Sequence, residues 1–406
     1  MGRSRSKPDP LSDIAMASPI AVRVAYFVFG RFRKSRGIAR LFWLAVMVVG
    51  GLLAFGGVDG FKQKLKEYAA EAGLPDLKIP NVLGEGPIRV YFTKPGTPPD
   101  DPNNPAKVLA GLIDQTKQTI DVAAFEIDNV VITDALVRAR QRGVVVRLVT
   151  DSDYIHESGV QALTAAGVPV VDDRRDALMH NKFMILDEKA VWTGSMNFTE
   201  NCAYKNNNNG IYIENAELAA NYGAKFRQMF EQREFGMPGR NSTYKKPYPV
   251  IKLADGTEIE TYFSPEDRIA DKVVNLVGEA KTSIHFLAFS FTHPGIGKAM
   301  LDKGKAGVSV AGVFEKTQTS GARSEFGRLS AAGFPVYLDA NPRNMHHKVI
   351  IIDGVTTLTG SFNFSENADR NNNENALIIR NNTSVGKSYE EEYQRVYDAA
   401  EGLSKR

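Results

Sequence analysis

MHNKFMILD at 179–187 followed by TGSMNFTEN at 193–201, and MHHKVIIID at 345–353 followed by TGSFNFSEN at 359–367, are two copies of one cassette. His180 and Lys182 stand two residues apart in a run rich in β-formers, as do His346 and Lys348, so a strand sends both side chains of each pair to one face. Imidazole and ammonium then converge on one point. Ser195 and Asn197, matched by Ser361 and Asn363, repeat the two-residue spacing directly after a glycine that lets the backbone approach a ligand closely. Such a set suits holding and attacking a phosphate.

The duplication extends well beyond the cassettes. A strand IRVYF at 88–92, a Pro/Asp/Asn-rich loop and a helix AKVLAGLIDQTK at 106–117 are matched by IETYF at 259–263 and a helix over roughly 267–281. IDVAAFEI at 120–127 aligns with IHFLAFSF at 284–291, and VVVRLVTD at 144–151 with VSVAGVFE at 308–315. Each copy then carries another helix and a strand after AAG, in GVPVVDD and GFPVYLD. Strands alternating with helices predict an α/β unit whose sheet is covered by helices. The divisions read as a basic N-terminus at 1–40, an apolar span at 41–58, a linker at 59–86, a first unit at 87–235, a linker at 236–255 and a second unit at 256–402.

HxKxxxxD followed by GSxN, twice in one chain, resembles the phospholipase D superfamily of phosphodiesterases and phosphatidyl transferases. His180, Lys182, Asp187, Gly194, Ser195 and Asn197 fit the first motif; His346, Lys348, Asp353, Gly360, Ser361 and Asn363 fit the second, at a common offset of 166 residues. The resemblance implies two α/β sandwich units around a pseudo-twofold axis, with both His-Lys pairs in one cleft. Residues 360–379 are more similar to the family's small nuclease branch than to the cardiolipin synthase branch, which carries an acid shortly after GSxN.

Cleaving a phosphodiester calls for a nucleophile, an acid for the departing alcohol oxygen, and cations or donors around the phosphoryl oxygens. One histidine attacks phosphorus, giving a phosphohistidine, while the other protonates the leaving group and then deprotonates water. Lys182, Lys348, Asn197 and Asn363 neutralise and orient the phosphate, Ser195, Ser361 and Asn208 contribute to holding it, and no metal or other cofactor is needed. Asp187 and Asp353 end their strands, and Asp353-Gly354 is a hairpin signal, so both read as architectural. Glu374 lies where the family has an acid that orients its histidine, and the same position of the first copy is Asn208. Read as partners within each copy, Glu374 favours a protonated, acidic His346, and Asn208 leaves His180 neutral and nucleophilic. His347 is expected on the other face of its strand, and His156, His285 and His293 lack metal-like spacing.

At 43% hydrophobic and 24% charged, the 406 residues are those of a globular chain long enough for two domains. The single cysteine, Cys202, excludes an intramolecular disulfide and a cysteine zinc cluster, and reads as an inert packed thiol. Residues 1–59 hold nine Lys or Arg against three acids, leaving 41 bases against 44 acids beyond them, a balance of −3. A slightly acidic body lacks the broad basic footprint of a tight nonspecific nucleic-acid binder. LFWLAVMVVGGLLAFGGV at 41–58 carries no charge and follows a basic stretch, the pattern of a transmembrane helix with its N-terminus cytoplasmic and the body on the other side. A secreted chain after signal cleavage is the alternative, which the long basic region disfavours.

Three functions compete: a membrane-anchored phospholipase D-like hydrolase or transferase, first on phosphatidylcholine-type lipid; a metal-independent endonuclease with nucleic acid as partner; and a noncatalytic membrane-anchored binding protein. Two complete His-Lys pairs weigh against the last. The oligomeric state is not legible.

Overall fold

The computed structural model describes residues 86–97, 101–240 and 242–405. The basic N-terminus, the 41–58 span and nearly all of the 59–86 linker lie outside the described residues. Among those described, no helix is long and apolar enough to cross a membrane.

Seven strands build the first sheet: β1 (Ile88–Phe92), β2 (Thr119–Ala124), β3 (Val145–Thr150), β4 (Val170–Asp172), β5 (Lys182–Leu186), β6 (Ala190–Gly194) and β7 (Asn209–Glu214), in the order β1-β7-β6-β5-β2-β3-β4. The second sheet holds β8 (Val250–Lys252), β9 (Glu258–Ser264), β10 (Ser283–Ala288), β11 (Ser309–Phe314), β12 (Val336–Leu338), β13 (Lys348–Ile352), β14 (Thr356–Gly360) and β15 (Glu374–Arg380). Its order, β12-β11-β10-β13-β14-β15-β9-β8, is that of the first sheet with one strand added at the edge. In each sheet three strands run parallel (β2, β3, β4 and β10, β11, β12) and the rest pair antiparallel. The added strand corrects the expected 236–255 linker: Val250–Lys252 pairs with β9 and belongs to the second sheet.

The strand period of two sorts the side chains into layers. In β5, Phe183 and Ile185 face a central core, and Met184 and Leu186 an outer one; in β13, Val349 and Ile351 face the same central core, and Ile350 and Ile352 their own outer one. Two helices, Ala216–Phe230 and Thr383–Ser404, fill the centre with Leu218, Tyr222, Phe226, Tyr389 and Tyr393. Each begins at an asparagine cap: Asn215 Oδ1 accepts from Leu218 N and Asn382 Oδ1 from Val385 N, both at 2.8 Å. Helices Pro105–Gln115, Val130–Gln141 and Ser158–Ala165 cover the outside of the first sheet, and Ile269–Glu279, Pro294–Lys305 and Phe326–Ala331 that of the second.

The repeats are sewn together by contacts that exchange under the 166-residue offset. Met179 bridges Asn373 while Asn207 bridges Met345. Asn209 Nδ2 donates to Thr359 Oγ1 while Asn375 Nδ2 donates to Thr193 Oγ1, both at 2.8 Å. Each contact is the image of its twin, which is the signature of a pseudo-twofold axis.

Asp187 and Asp353 hold architecture. Both adopt left-handed backbone at the hairpin turns, with φ of 52° and 53°. The Asp187 carboxylate accepts from the amides of Lys117, Gln118 and Thr119, and Asp353 from those of Lys281, Thr282 and Ser283, tying each hairpin to the start of the neighbouring strand.

Candidate active site

The two His-Lys pairs lie at the join between the repeats. Just upstream of β5, His180 N donates to Asn373 O at 2.9 Å; just upstream of β13, His346 N donates to Asn207 O at 2.9 Å. Backbone of one repeat thus fixes the histidine of the other. Lys182 Nζ donates to its own His180 carbonyl at 2.9 Å and rides 4.9 Å over Phe125; Lys348 Nζ does the same to His346 O at 2.8 Å and 4.6 Å over Phe289. The same rings meet the imidazoles edge-on, Phe125 at 4.8 Å from His180 and Phe289 at 4.6 Å from His346. Each aromatic therefore holds a desolvated ammonium, on the order of 1–2 kcal/mol, and one face of the imidazole. Phe125 and Phe289 were not singled out from the sequence, although the aligned AF in IDVAAFEI and IHFLAFSF carried the signal.

Glu374 and Asn208 correct the expected pairing. Glu374 Oε2 lies 2.7 Å from His180 Nδ1, not beside His346, and Asn208 Oδ1 lies 2.9 Å from His346 Nδ1, not beside His180. The cause is the exchange at the twofold axis: β7 and β15 each deliver their first residues to the histidine of the opposite repeat. Asn208 Nδ2 donates to Cys202 O at 3.1 Å, which turns Oδ1 toward the imidazole. Each histidine thus has its Nδ1 on a side chain behind it, and both rings line the cleft.

Ser195 and Ser361 stand behind those acceptors. Ser195 Oγ donates to Asn208 Oδ1 at 3.0 Å and Ser361 Oγ to Glu374 Oε2 at 2.5 Å, while the hydroxyls accept from the amides of Asn209 and Asn375. Fully buried, Ser195, Ser361 and Asn208 stand behind the two imidazoles and not at the cleft surface, which corrects their expected place on the substrate phosphate. The motif glycines have a related explanation. Gly194 and Gly360 hold φ of 140° and 142°, and a Cβ on either would sit 2.3 Å from a carbonyl oxygen, Asn209 or Asn375, so the close approach is to the next strand and not to a ligand.

A cleft of about 650 Å³ opens over both histidines. Asn197 lines it with Nδ2 donating to Glu126 at 2.9 Å, whereas Asn363, its counterpart at the 166-residue offset, is not among the lining residues. Burial, with the two lysines adding to it, holds His180 and His346 well below the ordinary imidazole range. Burial likewise lowers Lys182 to about 8 and Lys348 well below its usual value, and pushes Glu374 up to about 8. All these shifts reduce charge in a dry site. An entering phosphodiester anion reverses the balance and draws protons onto imidazole and ammonium.

The other sequence candidates sit in structural places. Cys202 is buried at the cleft wall, and burial pushes its thiol up. His347 faces the central core, with Nε2 3.0 Å from Glu392. His285 pairs with Glu390, and His293 caps helix Pro294–Lys305. Among the described residues no cluster of His, Cys, Asp or Glu is arranged to hold a metal ion.

This geometry coincides with a known family. A family model described as "Cardiolipin synthase, PLD-like domain" matches residues 109–230 and 273–397, together more than half the chain. The chain belongs to the phospholipase D superfamily. A phospholipase D of Rickettsia felis is 32% identical over 168 residues, 40% of this chain and 80% of the relative. A mitochondrial cardiolipin hydrolase of Xenopus laevis is 32% identical over 126 residues, 31% of this chain and 59% of that protein. A phosphatidylserine synthase of Haemophilus influenzae shares the fold at a TM-score of 0.57 and 14% identity, over 75% of this chain and 85% of its own.

Proposed function

We propose that this superfamily member hydrolyses the phosphodiester of a phospholipid in two displacements, with His180 as nucleophile and His346 as acid and then base. The observation that carries the reading is the unequal backing of two otherwise equivalent histidines, a carboxylate behind His180 and an amide behind His346. Attack by His180 Nε2 on phosphorus places positive charge on the imidazole, which Glu374 at 2.7 Å compensates. His346 lacks such compensation. Once protonated it is the stronger acid, suited to give its proton to the departing alkoxide and to take one from the water that cleaves the phosphoenzyme. Lys182 and Lys348 balance the charge of the pentacoordinate phosphoryl group. This keeps the assignment of roles expected from the sequence but reverses its reason.

Phospholipid is favoured as substrate by the phospholipase D and cardiolipin hydrolase relatives and by the acidic body. The uncharged 41–58 stretch supports a single-pass anchor with the catalytic body outside the cytoplasm. Assaying the purified chain on phospholipid vesicles and on single-stranded DNA in parallel tests the substrate. Faster turnover of DNA would favour the endonuclease reading. Reporter fusions at residue 80 test the topology, and a cytoplasmic result there would reverse it.

A further inference from the structure

The cleft walls differ in charge by repeat. Glu126, Asp128 and Glu157 line it from the first repeat, and Lys316 and Arg343 from the second. Glu126 follows Phe125, the ring against His180, and holds Asn197. The basic wall is tied as closely to the other histidine. Glu315, next to Lys316, takes Met345 N on its Oε2 at 2.7 Å, and Arg343 lies three residues before His346. Lys316, which lines the cleft, donates one of its three ammonium N–H bonds to Asn341 O. Among the described residues no hydrogen bond or ion pair engages the exposed Arg343 guanidinium.

We infer that Arg343, supported by Lys316, selects substrates whose leaving alcohol carries its own negative charge, a phosphate-bearing headgroup such as glycerol phosphate. The inference rests on the reading in which His346 protonates the leaving oxygen. In-line attack from the His180 side expels that oxygen toward His346, and the headgroup attached to it then lies along the Lys316 and Arg343 wall. A guanidinium matches a phosphate with two parallel hydrogen bonds. A trimethylammonium headgroup meets two like charges there instead. This runs against the phosphatidylcholine expectation. A polynucleotide also has a phosphate on its leaving side, but it carries further phosphates on the retained side, and three acids, Glu126, Asp128 and Glu157, line the rest of the same cleft. The retained part of a phospholipid next to the reacting phosphate is uncharged glycerol ester.

The test uses the full chain in neutral detergent micelles with three lipids whose leaving alcohol steps in charge: phosphatidylglycerophosphate, phosphatidylglycerol and phosphatidylcholine. An oligonucleotide and bis(4-nitrophenyl) phosphate run alongside. The expected order of kcat/KM follows the lipids as named. Arg343→Ala should shrink the ratio of the first lipid to the third by about 10-fold, the scale of one charge-assisted hydrogen bond, and Arg343→Glu should shrink it further. Lipids turned over with no charge order, or an order that Arg343→Glu leaves in place, would overturn the inference and leave the lipid reading standing. Turnover of the nitrophenyl diester or the oligonucleotide with no lipid cleaved would overturn both.

Discussion

Glu374 Oε2 lies 2.7 Å from His180 Nδ1, so the acid of the second repeat serves the histidine of the first. The contact makes the active site a property of the paired repeats: neither half holds a complete histidine with its orienting partner. It also breaks the symmetry of the cleft, since the twin contact, His346 to Asn208, ends on an amide.

Glu374→Gln should lower kcat by about 10²–10³-fold with little change in KM, because the carboxylate acts on charge that develops on His180 during attack. Asn208→Asp supplies His346 with the charge partner it lacks, making it a weaker acid. Its kcat should fall about 10-fold on lipid, whose alkoxide needs a proton, and stay near wild type on a nitrophenyl diester, which leaves without one. Steady-state kinetics on both substrates checks the pair, and equal losses for Asn208→Asp on the two would contradict it.

The two faces of each motif strand, the duplicated order of elements and the architectural roles of Asp187 and Asp353 were legible because they follow from period two and from turn chemistry within one segment. The partner of each histidine was not. An offset of 166 residues aligns Glu374 with Asn208 but does not say which histidine each one meets, and that depends on how two sheets join across an axis. Ser195 and Ser361 were misplaced for the same reason, since the acceptors they support arrive from β7 and β15. Lys316 and Arg343 sit on loops with no periodic signal, and only the fold brings them to the cleft.

The pH profile should be set by buried lysines. Burial lowers Lys182 to about 8 and Lys348 well below its usual value, so free enzyme loses ammonium charge as pH rises. The alkaline limb of kcat/KM should begin no higher than about pH 8, whereas exposed lysines would sustain activity past pH 10. In kcat the limb should move upward, because bound phosphate favours the charged form. A kcat/KM profile flat from pH 7 to 10 would contradict this.

Asp353 is expected to matter for stability and not for chemistry. Although burial opposes it, the amide donors of Ser283, Thr282 and Lys281 lower its carboxyl to about 2, below its unfolded value. A group depressed on folding stabilises above its unfolded pKa and loses that contribution as pH falls through the folded one. The melting temperature of Asp353→Asn should therefore lie below wild type at pH 5 to 8, with the gap closing between about pH 4 and 2. Loss of these bonds costs about 1–3 kcal/mol, and kcat at permissive temperature should be near wild type.

Activity should survive strong chelation, because the ammonium groups of Lys182 and Lys348 supply the charge that a divalent ion would supply to the phosphoryl oxygens. Turnover measured after dialysis against EDTA checks this. Loss restored by a divalent ion would contradict it.

The division of labour between the histidines is tested most directly by rapid quench of wild-type enzyme with substrate, followed by mass spectrometry under conditions that preserve phosphohistidine. The modification is expected on His180, absent from His180→Ala, and still formed from a nitrophenyl diester by His346→Ala, which has lost the acid but kept the nucleophile and Glu374. A phosphoryl adduct on His346 of the wild-type enzyme would contradict the account.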